Sequence, residues 1–209
     1  IHYIPGIVPG LAFAVNALTE KGNGVMIMTP VYHPFNHVTV TSGRTLVEVP
    51  LKLVDGRYEM DYENIDRRLP ECKMLILCNP HNPAGRVWTA EELRKMGEIC
   101  LRHNVFVIAD EIHCELVYPG CEYVPFASLS DEFRRNSATC VSPSKAFNIA
   151  GLQIADIIVS DPDTRARIDR AININEVCDV NPFGVIATIA AYNEGEEWLE
   201  QLLSYLKGN

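Results

Sequence analysis

Four polar clusters carry residue types suited to covalent or acid–base chemistry, and each comes straight after an apolar run. "TPVYHPF" (29–35) follows "VMIM", "CNPHNPAG" (78–85) follows "MLIL", "DEIH" (110–113) follows "VFVIA", and "SPSK" (142–145) follows "SATCV". Lys145 is either a surface lysine on a loop or, at a strand end among small residues, the nucleophile of the set. A lysine that is partly desolvated, or near another cation, loses proton affinity and attacks carbonyl carbon, which is what a Schiff base requires. Asp110 ends a run that reads as buried, so its charge needs a partner. A helix N-cap or a pairing with a structural cation would also satisfy it. Glu111, its neighbour, points to the opposite face. Asn82 offers an amide in a proline-punctuated loop, where Asn79 reads as turn chemistry. His81 reads as an exposed or structural histidine. Tyr32 either faces a ligand or packs in the core.

Several other chemistries lack their signatures. His113 and Cys114 raise the question of a metal, but neither C-x-x-C nor H-E-x-x-H is present. G-x-G-x-x-G and G-x-x-x-x-G-K-[ST] are absent, so nicotinamide and P-loop nucleotide sites lose their main support. Ser142 and Ser144 stand in no G-x-S-x-G frame.

The elements that must position these residues alternate in type. Strand-like runs occur at 1–4, 25–28, 45–49, 74–78, 105–109, 138–141 and 154–160, several of them continuously apolar, as buried strands of α/β sheets are. Helical patterns fall at 8–21, 89–103, 161–175 and 182–206. The second opens with "TAEE", a capping box with Thr89 as N-cap and Glu92 three residues on. The third has Pro162 at its first turn. The fourth reads as one long amphipathic helix with Trp198, Leu202 and Leu206 on one stripe. Such alternation predicts an α/β domain with a largely parallel sheet, whose ligands bind beyond the carboxyl ends of the strands. All four clusters would open there.

Composition narrows the partners. The 209 residues suffice for one sizeable domain. The net charge of −9, without any basic run, argues against nucleic acid or an anionic membrane. No apolar stretch is long enough to span a bilayer. Seven cysteines, an odd number without C-x-x-C pairing, suggest a reducing, cytoplasmic setting.

In this order, "CNPHNPAG", "ADEIH" and "SPSKAFNIAGL" resemble the large domain of fold-type I pyridoxal-phosphate enzymes, of the class I/II aminotransferase family. "CNPHNPAGRVWTAEEL" and "NPFGVIATIAAYNEGEEWLEQLL" resemble its cystathionine β-lyase-like branch of carbon–sulfur lyases. The resemblance covers the whole chain. It implies a three-layer α/β/α domain around a seven-stranded, mostly parallel sheet, with the last strand (154–160) antiparallel. It implies pyridoxal 5′-phosphate as cofactor. Lys145 would form the Schiff base and move the substrate α-proton. Asp110 would pair with the pyridine nitrogen, Asn82 with the ring 3′-oxygen, and Tyr32 and Ile112 would cover the two ring faces. His113 falls where many relatives place a tyrosine near the 3′-oxygen. Ser142 fits as a phosphate ligand, Ser144 less well, and Gly6, Ile7 and Val8 would offer backbone N–H groups to the same phosphate. Many aminotransferases carry an arginine eight residues after the lysine. Gln153 stands there, and the lyase-like branch also tends to lack the arginine.

The family also has a small domain built from both chain ends, and homodimers with shared active sites. Residues 1–209 are therefore expected to be the large domain, truncated at both ends and without useful turnover alone. Three functions remain open: a lyase eliminating a thiol from cystathionine, cysteine or a similar amino acid; an aminotransferase; and a non-catalytic binding or regulatory relative.

Overall fold

A computed structural model describes residues 1–209 apart from 175 and 178. In chain order it contains β1 (His2–Ile4), α1 (Ile7–Leu18), β2 (Gly24–Thr29), α2 (Pro34–Thr41), β3 (Thr45–Pro50), β4 (Lys52–Val54), β5 (Arg57–Glu59), α3 (Tyr62–Arg68) and β6 (Cys72–Cys78). There follow α4 (Ala90–Arg102), β7 (Phe106–Asp110), α5 (Asp131–Arg135), β8 (Ser137–Val141), β9 (Ala155–Val159), α6 (Pro162–Asn173), α7 (Pro182–Glu194) and α8 (Glu196–Gly208).

Seven strands form one sheet in the order β1-β9-β8-β7-β6-β2-β3. β9 runs antiparallel to both its neighbours, and the other pairings are parallel. All seven expected strands are present, and the antiparallel one is the last of them. Alternation along the strands divides the core. Met26, Met28, Leu75 and Leu77 face one layer, with Ile65 of α3, Leu93 and Met96 of α4 and Phe133 of α5. Val25, Ile27, Met74 and Ile76 face the other, with Leu11 and Val15 of α1, Phe35 of α2 and Ile168 of α6. Both faces are covered, as the near-continuous apolar runs require.

Local chemistry sets the helix boundaries. Thr89 Oγ1 accepts from Glu92 N (3.2 Å) and Glu92 Oε2 accepts from Thr89 N (2.8 Å), closing the expected capping box. The same Glu92 receives two bonds from Arg86 Nη2 (2.7 and 3.0 Å), whose guanidinium lies over the Trp88 ring. The helix expected at 161–175 ends at Asn173, and Asn175, like Cys178, lies outside the described residues. The helix expected over 182–206 is two helices, broken at Gly195. A Cβ there would stand 2.4 Å from Ala191 O and 2.5 Å from the Phe147 ring, so the aromatic ring fills the space that a side chain would need. The stripe of Trp198 and Leu206 is left partly open to solvent.

Candidate active site

Beyond the carboxyl ends of β6, β7 and β8 lies a cavity of about 390 Å³, within the roughly 300–1,000 Å³ typical of small-molecule sites. It is lined by Gly6, Ile7, Val8, Tyr32, Asn82, Asp110, Ile112, His113 and Lys145, all anticipated from the sequence. A larger, open groove of about 1040 Å³ adjoins it and shares Asn82 and His113.

The floor is formed by Cys78 and Asp110, in register across the sheet and facing the layer that holds α1, with Cys140 next in the same row but outside the lining. Asp110 is 3% exposed, and Ile112 N donates to its Oδ1 at 3.2 Å. Among the described residues it makes no ion pair with a side-chain cation at contact distance. Burial pushes its pKa up to about 7; the Ile112 N–H pulls it down, the Glu111 charge raises it and Lys145 lowers it. Cys78 was not anticipated. It ends the strand before Asn79, and its Sγ accepts from Asn82 N at 3.3 Å, fixing the loop at its root. Burial pushes this thiol up to about 12, so it stays a protonated spacer rather than a nucleophile.

The walls are formed differently. Gly6 adopts φ 121°, open to glycine and strained for other residues, and caps α1 without a side chain. The amides at the start of α1 thus face the cavity with no side-chain acceptor on them. Tyr32 is 38% exposed and meets Phe35 edge-on, so it is a wall residue rather than part of the core. His113 is held below its usual pKa by burial and by the nearby Lys145 charge, which keeps the imidazole neutral. His81 is buried against Trp88, a structural position, with burial lowering its pKa to about 4.

Lys145 reaches the cavity from the turn after β8 and is exposed. The partly desolvated lysine that the sequence suggests is not what this open cavity provides. Its turn is held from behind: Phe147 N donates to Pro143 O, and Trp198 Nε1 to Ala146 O at 3.1 Å. Ser142 also differs from expectation. It is buried, its Oγ lies 2.7 Å from Ile154 O, and it accepts from Ser144 N at 3.1 Å. It stands behind the cavity wall, and Ser144 is the hydroxyl that lines it. Gln153 lines the cavity beside Ser144, in the left-handed region (φ 51°).

A buried carboxylate without a contacting cation, a lysine across the same cavity and an uncapped helix N-terminus suit a ligand with a basic ring, a carbonyl and an anionic tail. The class of protein this defines is the three-layer α/β fold with a lysine-lined cavity beyond the carboxyl ends of its strands. Within it the chain belongs to the aminotransferase class I and II family, whose model matches residues 1–209. It is 46% identical to the cystathionine beta-lyase PatB of Bacillus subtilis, over all of this chain and 54% of that protein. The crystal structure of cystalysin from Treponema denticola, which contains pyridoxal 5′-phosphate, superposes with a TM-score of 0.94 at 35% identity, over 97% of this chain and 52% of that one. The PLP-bound C–S lyase from Staphylococcus hominis superposes at 0.92 with 36% identity, over 99% of this chain and 53% of that one. The chain spans about half the length of the relatives it matches. Among the described residues, no helix is long and apolar enough to cross a membrane, and no group of three or more His, Cys, Asp or Glu is placed to hold a metal.

Proposed function

We propose that this chain is the cofactor-binding large domain of a pyridoxal 5′-phosphate-dependent carbon–sulfur lyase, cytoplasmic and homodimeric at full length. Its substrates are small amino acids with sulfur on Cβ, such as cystathionine or cysteine. The observation that carries the reading is Asp110, a buried carboxylate with no contacting cation among the described residues, on the floor of a cavity that Lys145 also lines. When bound, the cofactor supplies a carbonyl for the lysine and a ring that accepts the electron pair left at the substrate Cα.

The protein's own groups would act as follows. Asp110 holds a proton on the ring nitrogen, which keeps the ring electron-poor. Asn82 donates its amide to the ring oxygen, with neutral His113 beside it. Tyr32 and Ile112 cover the two faces. The α1 amides of Ile7 and Val8, beside Gly6, and Ser144 Oγ take the phosphate, with Ser142 holding Ser144 in place. Lys145 Nζ removes the Cα proton, and the Cβ–S bond then breaks with the thiolate leaving. Hydrolysis of the remaining fragment gives pyruvate and ammonia.

An aminotransferase would use the same proton step and return the proton elsewhere. The lyase reading is supported by relatives named as lyases, one of them 46% identical over the whole chain. A non-catalytic relative would have no need of Lys145, Asp110, Asn82 and Tyr32 around one cavity. The natural full-length protein should release pyruvate from cystathionine. Amino-group transfer to 2-oxoglutarate without pyruvate release would replace the reading with the aminotransferase. Isolated residues 1–209 should give no pyruvate above a Lys145→Ala control.

A further inference from the structure

Directly behind the floor lies a second buried carboxylate that the proposed chemistry does not use. Glu111 is 1% exposed and faces the layer opposite Asp110. Three donors converge on it. Phe126 N donates to Oε1 at 2.9 Å, Asn79 Nδ2 donates to Oε1 at 3.3 Å, and the Tyr123 hydroxyl donates to Oε2. Asn79 Nδ2 also reaches Val124 O at 3.0 Å, so the two loops are tied to each other as well as to β7. One loop carries Asn82. The other, through Tyr118, Cys121, Glu122 and Val124, lines the groove that opens beside Asn82 and His113. The backbone repeats the arrangement, with Asn79 N on Asp110 O and Glu111 N on Cys140 O, both 2.9 Å.

We propose that Glu111 is a positioning residue for the cavity. Its carboxylate fastens the Asn82 loop and the 118–126 segment to the end of β7, and so sets the Asn82 amide relative to Asp110. A carboxylate suits this place because it only accepts hydrogen bonds, and every neighbour reaching it donates. Truncation would leave the Phe126 N–H and the Tyr123 hydroxyl without their acceptor and would reduce Asn79 to its bond with Val124 O, a costly state that the loops relieve by moving outward. Burial raises the Glu111 pKa, while the Phe126 N–H, the Tyr123 hydroxyl and the Asn79 amide oppose that rise.

The inference rests on the proposed cofactor, and the test separates the two. In the natural full-length protein with pyridoxal phosphate added, the visible band of the bound cofactor is titrated with pH for wild type, Glu111→Gln and Tyr123→Phe. Loss of the Asn82 bond to the ring oxygen removes a hydrogen bond that favours the ionised form. The midpoint should therefore rise by about 1 pH unit in Glu111→Gln, and by less in Tyr123→Phe, which keeps the carboxylate. In cofactor-free protein, amide exchange should quicken together at 79–87 and 118–126 in both variants. Wild type without a visible band overturns the cofactor reading and this inference with it. A wild-type band with unmoved midpoints in the variants overturns the role of Glu111 alone. If Glu111→Gln fails to fold, Tyr123→Phe with an unmoved midpoint and unchanged exchange overturns it.

Discussion

Asp110 and Lys145 follow from adjacent strands, β7 and β8, yet one is 3% exposed and the other is open to solvent. The floor that holds Asp110 is built from strand ends in register, with Cys78 and Cys140 on either side and Glu111 behind. The rim that holds Lys145, Ser144, Tyr32 and Gln153 is built from turns and a helix start. Burial makes the floor electrostatically expensive and geometrically fixed, because an unpaired carboxylate survives there only through its surroundings. The rim is cheap to solvate and is held from behind, by Trp198 on the Lys145 turn and by Ser142 on Ser144. The chemistry proposed needs both: an anion that water cannot screen, and a nucleophile free to move between carbonyl and proton.

The comparison can be broken most forcefully at the rim. Lys145→Ala should remove the nucleophile and cut pyruvate release by at least about 10³-fold, with the thermal melting of cofactor-free protein unchanged, because the side chain is exposed. At the floor, Asp110→Asn should lower turnover by about 10²-fold and alter stability in a pH-dependent way. The folded-state pKa of about 7 lies above that of an unfolded aspartate. The stability attached to this group is therefore fully present below the unfolded pKa and is lost as pH rises through about 7. Cofactor-free wild type should then lose more melting temperature between pH 5 and pH 8 than Asp110→Asn does; equal losses would show that Asp110 is not buried as described.

Two smaller effects sharpen the account of the rim. Gly195→Ala drives a methyl into the Phe147 ring and should cost about 1–3 kcal/mol in chemical denaturation, while also slowing turnover by disturbing the Lys145 turn. Gln153→Arg adds a charged donor beside Ser144 and should tighten cofactor binding by about tenfold, read from the dissociation constant in equilibrium dialysis. An unchanged constant would mean that the phosphate does not lie on that wall.

The same division governs what the sequence made legible. All seven sheet strands were legible, the central ones because buried strands are apolar end to end, and their bounds came within two residues. The β4–β5 hairpin escaped, since Lys52–Val54 is exposed throughout and carries no burial pattern. The Asp55-Gly56 pair between its strands, both at positive φ, was the available signal. Helices α2, α3 and α5 are too short for periodicity to reveal. The break at Gly195 had a local signal in the glycine itself, which the amphipathic pattern running through 182–206 overrode. Lys145, Asp110, Asn82 and Tyr32, which line one cavity, were singled out through motif order. That Ser144 rather than Ser142 lines the cavity was not, because it depends on which hydroxyl Ile154 O captures. The Glu111 network joins residues 12, 15 and 32 positions away, beyond any short motif.

In the proposed function, Lys145 bonds the cofactor over a floor set by Asp110. The most direct measurement is borohydride reduction of the natural full-length protein with pyridoxal phosphate, followed by peptide mapping. A single pyridoxyl-modified peptide carrying Lys145 is expected, absent from Lys145→Ala. Modification of another lysine, or none in a protein that still releases pyruvate from cystathionine, would contradict it.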